Sequence, residues 1–127
     1  MRALTIFLLA FACLAIFPLT ADAQAVVNPT TAEYTPSPDH SLIVRYEIGY
    51  FYGGATEPFF VSDFGKPACS PLCSNPLPAK PAFGEFTAKI KAWAVDYGGV
   101  PIASEWSPVS NPFGLLPLPP GATTLKK

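Results

Sequence analysis

From Phe86 onward every second residue of the chain is apolar: Phe86, Ala88, Ile90, Ala92 and Ala94, with Thr87, Lys89 and Lys91 among the residues between them. A period of two is what a strand with one buried face requires, because successive side chains leave a pleated backbone on opposite sides. Asp96-Tyr97-Gly98-Gly99-Val100-Pro101 then interrupts the pattern. Glycine reaches positive φ and proline fixes its own, so the chain turns here. Residues 104–109 resume an extended run, and 85–112 reads as two strands joined by a glycine turn.

Proline decides what the remainder can be. Sixteen prolines argue against long helices, since each lacks an amide donor and clashes with the preceding helical turn. They suit short strands with ordered loops. Residues 41–52, SLIVRYEIGYFY, form a second strong strand, with Leu42, Val44, Tyr46, Ile48, Tyr50 and Tyr52 on one face and Arg45 and Glu47 on the other. A brief strand over 31–35 ends at the turn Pro36-Ser37-Pro38-Asp39. Residues 58–64 are a third extended run, in which Phe59, Val61 and Phe64 differ in exposure. In 66–81 five prolines (Pro67, Pro71, Pro76, Pro78 and Pro81) exclude a central strand and leave an ordered loop or an irregular edge. Asn111-Pro112 is expected to stop the sheet, leaving 114–127 as a flexible tail. The expected core is Tyr46, Ile48, Phe86, Ala88, Ile90 and Ala92.

Half of the residues are hydrophobic and 13 % are charged, so a packed core is within reach. The net charge of −1 offers no basic footprint for nucleic acid and no polybasic patch for an anionic membrane. Residues 1–23 read as an export signal: Arg2, an apolar run over 3–19, and the small-x-small site Ala21-Asp22-Ala23, with Gln24 beginning the exported chain. An uncleaved anchor is the rival, but the run is short for a spanning helix and Pro18 interrupts it. Lipidation at Cys13 fits poorly, because the bulky Phe11 precedes it and the apolar run continues past it. Without the leader, Cys69 and Cys73 remain, an even count for an oxidising compartment. Residues 24–113 then suit a single sandwich domain.

Several stretches resemble fibronectin type III domains. Ala32-x-Tyr34-Thr35-Pro36-Ser37-Pro38-Asp39 resembles that family's second strand and the turn after it, with Tyr34 where a core Trp is usual. Val44-x-Tyr46-Glu47-Ile48 resembles the third strand, and Asp63-Phe64-Gly65-Lys66-Pro67 the end of the fourth in small bacterial members. Phe86-Thr87-Ala88-Lys89-Ile90-Lys91-Ala92 resembles the penultimate strand, and Ser104-Glu105-Trp106-Ser107-Pro108 the approach to the last. Phe86 takes the usual Tyr position, so no tyrosine-corner hydroxyl bond forms there. The resemblance implies an antiparallel, all-β sandwich of fibronectin type III or immunoglobulin-like build, with weak first and fifth strands.

Catalytic material is scarce. His40 is the sole histidine, and consecutive Asp39-His40-Ser41 side chains diverge, so they form no triad. It reads as a solvated turn histidine. Acidic residues are few and scattered, which disfavours a carboxylate-pair hydrolase. Two thiolates and one distant histidine fall short of the four ligands of structural zinc. For Cys69 and Cys73 a disulfide closing a small loop is favoured over a redox motif, whose usual spacing is two residues. No catalytic residue, metal or cofactor is assigned.

Aromatics carry the best hint of binding. Phe51, Phe60, Trp93 and Trp106 fall by alternation on faces away from the main apolar face of their strands. They either pack cross-strand or form a patch for a protein partner or for sugar stacking. A turn over 97–102 would set Trp93 opposite Trp106, with Lys89 and Lys91 in cation–π reach. The turn residues Tyr97, Gly98 and Gly99 would lie with Pro36-Ser37-Pro38-Asp39-His40 at one end of the sandwich, where recognition loops often gather. The expected function is a secreted, non-enzymatic module for protein interaction or adhesive scaffolding. A small carbohydrate-binding sandwich is the alternative, and a hydrolase fragment the least supported.

Overall fold

The computed structural model describes residues 26–127; the expected export signal, with Cys13 and the expected Ala23–Gln24 junction, lies outside the described residues. Eight strands follow in order: β1 (Val26–Val27), β2 (Thr31–Tyr34), β3 (Arg45–Phe51), β4 (Phe60–Gly65), β5 (Cys73–Pro76), β6 (Gly84–Val95), β7 (Pro101–Ala103) and β8 (Phe113–Leu115). One sheet has the order β1-β8-β6-β3-β4, with β7 also on β6, and a second contains only β2 and β5. All pairings are antiparallel except β1 with β8. The protein is all-β and sandwich-like, a large mixed sheet facing a two-stranded one.

The alternation in β3 and β6 is realised in three-dimensional register. Tyr46 faces Ala92, Ile48 faces Ile90 and Tyr50 faces Ala88, so large side chains of β3 meet small or branched ones of β6 on the inner face. Tyr46, Ile48, Tyr50, Phe86 and Ala92 are buried. Ala88 and Ile90, also expected in the core, are only half-buried. The second sheet is two strands wide and does not reach across them.

Three local expectations are corrected. The strong strand starts at Arg45, because residues 40–42 wind into a 3-10 turn in which Leu42 N–H donates to Asp39 O at 2.8 Å and Ile43 N–H to His40 O at 3.1 Å. That turn buries Ile43 and leaves Leu42 71 % exposed. Phe60 lies directly opposite Tyr50 and therefore on the inner face, its ring 5.3 Å from that of Tyr50. The sheet also continues beyond Asn111-Pro112: Phe113 and Leu115 pair with Phe86 and Gly84 and are buried. Gly114 and Leu115 thus belong to β8 and not to the tail.

Residues 104–110 are extended but are not a regular strand. Ser104, Ser107 and Ser110 donate their amides to the carbonyls of Ala92, Ile90 and Ala88 at 2.8, 2.8 and 2.9 Å. Their hydroxyl oxygens accept from the amides of the same three residues at 3.0, 2.9 and 2.9 Å. Each serine thus supplies the acceptor that a regular partner strand takes from its own carbonyl. Three residues of this segment match two of β6. Pro108 falls between bonding positions, where its missing amide costs nothing.

Within the proline-rich stretch, Cys73–Pro76 forms β5, an edge strand whose ladder is extended by Leu77 N–H donating to Thr30 O at 2.9 Å. Cys69 and Cys73 are joined by a disulfide, and Cys73 is wholly buried. The disulfide points to an oxidising compartment. No helix among the described residues is long and apolar enough to cross a membrane.

Candidate functional site

Trp93 and Trp106 share the outer face of the large sheet, but they are not opposed. The hairpin between β6 and β7 is closed by Asp96 N–H to Val100 O at 2.8 Å and by Gly99 N–H to Asp96 O at 2.9 Å. The Asp96 carboxylate accepts from the amides of Gly98 and Val100 at 2.8 and 2.9 Å. The turn is therefore 97–99, with Gly99 at a φ of 84°, and Trp93 faces Ala103. Three residues fewer in the turn shift the register away from the expected pair.

Each tryptophan instead has a cation on its face. Arg45, which lies opposite Trp93 on β3, holds its guanidinium 4.5 Å from the ring centroid. Arg45 is also 3.5 Å from both Glu47 and Asp63. Trp106 lies over Gly49, where a Cβ would stand 2.8 Å from its Cη2. Its ring meets that of Phe51 at 90° and 5.3 Å. Lys91 covers Trp106 at 4.2 Å and Lys89 covers Phe51 at 4.7 Å, as the alternation of β6 anticipates. Phe51 is buried, and Trp93 Nε1 is buried without a hydrogen-bond partner. Such contacts are worth about 0.5–1 kcal/mol each near a surface. A cation already seated on each tryptophan competes with a sugar for that face.

At the end of the molecule where β6 finishes, Val44 N–H donates to Trp93 O at 2.8 Å, Tyr46 pairs with Gly65, and Tyr34 pairs with Cys73. This brings 35–42, 66–72 and 96–100 to one end. The first and last were anticipated, and the disulfide loop joins them. Tyr97 projects fully into solvent. His40 is not a free turn histidine: its Nδ1 lies 2.7 Å from the Tyr46 hydroxyl, and the two rings stack at 5.7 Å. Ser37 N–H also donates to that hydroxyl at 3.1 Å. Among the described residues no three His, Cys, Asp or Glu side chains gather as metal ligands would.

The feature with the clearest capacity for binding was not visible in the sequence. Among the described residues β2 pairs with β5 and with no other strand. Since Leu77 N–H bonds Thr30 O, alternate residues Ala32 and Tyr34 point their backbone bonds to β5. Thr31 and Glu33 direct theirs the other way. Beyond that free edge runs a groove bounded on its far side by residues 104–111 and floored by Ala88, Ile90 and Ala92. It comprises two adjoining hollows of about 320 and 460 Å3, which share Tyr34, Ile90, Ser107 and Pro108. Among the described residues no strand closes it, since β1 pairs in parallel with β8 rather than with β2. The alanines at 88 and 92 were the available signal, since small inward side chains leave a hollow unless a wide sheet covers them.

The hydroxyl of Tyr34 donates to Asn75 Oδ1 at 2.7 Å, and Asn75 Nδ2 donates to Phe64 O at 3.2 Å. This chain of bonds ties β2 to β5 and β4 and holds the groove wall in place. Burial, and then the neighbouring Tyr46, pushes the Tyr34 phenol pKa well up from its ordinary value. No family model, curated protein or solved structure matches the chain.

Proposed function

We propose that this chain is an exported, non-enzymatic module of fibronectin type III-like build that takes hold of an extended peptide segment along the free edge of β2. The observation that carries this is the conjunction of unshared backbone donors and acceptors at Thr31 and Glu33 with an apolar groove beside them. Strand addition of this kind draws affinity from main-chain hydrogen bonds and selectivity from pockets for alternate side chains. The disulfide supports export, as it suits an oxidising compartment. Carbohydrate binding through Trp93 and Trp106 has less support, because both rings are capped by cations. Tyr97, Gly98 and Gly99 remain a secondary contact at the loop end.

Glu33→Pro tests the reading. Proline removes the amide that points to the free edge, while the bonds from β2 to β5 are made by its neighbours. Panels of extended peptides should bind the parent, and binding should drop about tenfold or more in Glu33→Pro, with the melting temperature little changed. Equal binding by the two proteins, or no peptide bound by the parent, overturns it.

A further inference from the structure

Resting on the reading of β2 as a strand acceptor, we infer that the segment occupying the groove is residues 121–127, GATTLKK, of a second copy of this chain. Three observations converge on it. The first is charge. Glu33 and Glu105 are the charged side chains lining the groove, and no lysine or arginine lines it. Residues 121–127 carry Lys126 and Lys127 and no acid. The second is composition. After five prolines and leucines at 116–120, residues 121–127 are free of proline, contain the strand-favouring Thr123-Thr124, and present Leu125 at 89 % exposure. A leucine so exposed finds cover on the apolar floor at Ile90, which is half-buried for want of a covering strand.

The third is reach. The tail leaves the sheet at Leu115, and Pro117, Pro119 and Pro120 stiffen residues 116–120, which extend about 16 Å in polyproline geometry. Folded back at Gly121, the remaining residues span about 20 Å when extended. A connector that stiff disfavours the sharp return that residues 121–127 would need to lie in the groove of their own chain. The same stiffness carries the segment clear of its own domain and into another. There it runs in the direction of β2, because that sense brings the lysines to the end of the groove where Glu105, Thr35 and Pro38 lie. The tail of one copy enters the groove of another; reciprocal exchange closes a pair, and one-way exchange builds a chain of subunits.

Sedimentation velocity on the protein beginning at Gln24 should show concentration-dependent association. The variant ending at Pro120, whose fold is untouched, should stay a monomer throughout. Synthetic GATTLKK should bind that truncated protein and protect its Glu33 and Thr31 amides from hydrogen exchange. Lys126→Glu with Lys127→Glu should weaken the peptide about tenfold. A parent that is monomeric at all concentrations, or a truncated protein that self-associates like the parent, overturns the inference. So does a GATTLKK peptide that leaves those amides unprotected. If other extended peptides still bind in a manner abolished by Glu33→Pro, the strand-acceptor reading stands and only the identity of the occupant falls.

Discussion

Ser107 does the work of a backbone carbonyl. Its hydroxyl accepts from Ile90 N–H at 2.9 Å while its own amide bonds Ile90 O at 2.8 Å. Ser107→Ala would leave a half-buried amide without its acceptor, which costs about 1–3 kcal/mol. Chemical denaturation should register that loss, and Ser107→Thr, which keeps the hydroxyl, should recover most of it. Gly49 matters for a different reason. Its backbone needs no unusual φ, but a Cβ there meets Trp106, Phe51 and Pro58 at 2.8, 3.1 and 3.2 Å. None of these is the tip of a flexible chain. Gly49→Ala should therefore displace Trp106 from beneath Lys91, with a destabilisation of about 1–3 kcal/mol and a change in tryptophan fluorescence. An unchanged spectrum with unchanged stability would contradict the close approach.

At the scale of elements, the disulfide loop and β5 act together. The bond between Cys69 and Cys73 closes a loop of small sequence separation immediately before a strand that has only β2 as a neighbour. A loop so short contributes about 2 kcal/mol through the unfolded state. Reduction should lower the free energy of unfolding by that order, read from chemical denaturation, without abolishing cooperative unfolding. Complete loss of the fold on reduction would mean that β5 cannot form unless 69–73 is pinned. Mass spectrometry without reductant should find no alkylatable thiol in the chain beginning at Gln24. The β6–β7 hairpin is governed by Asp96, whose carboxylate takes two turn amides. That short turn sets Trp93 opposite Ala103 and lets Trp106 travel on to Gly49, while the pairing of β6 with β3 brings Arg45 to Trp93.

For the whole molecule, stability should fall at high pH. Burial, and then Tyr46, raises the pKa of Tyr34 above its ordinary 10.0, and burial raises that of Tyr50. The native state therefore holds these phenolic protons more tightly than the unfolded chain does. Their contribution is fully present below pH 10.0 and is lost as the pH rises through the folded-state values. Thermal melting should be insensitive to these groups up to about pH 9 and should decline beyond pH 10. Tyr34→Phe should make the decline shallower. An equally steep decline in that variant would mean that the Tyr34 phenol ionises freely in the native state.

Strand faces are a local property. The pleat alone sends Tyr46, Ile48, Phe86 and Ala92 inward and Trp93, Lys89 and Lys91 outward, so alternation in the chain was enough to assign them. The disulfide was equally legible, given that Cys69 and Cys73 lie four residues apart and Cys13 falls in the expected export signal. Register was not, because it depends on how many residues the Asp96 carboxylate gathers into a turn, and composition does not encode that count. The serine spacing at 104, 107 and 110 stood in the sequence, but its meaning requires the amides of β6 opposite. Asn111-Pro112 read as a stop because proline cannot donate, yet Phe113 and Leu115 return to the core through non-local burial. The free edge of β2 is the clearest case. A strand's own residues determine that it is a strand, whereas its lack of a second neighbour among the described residues depends on where β1 pairs, and β1 pairs with β8.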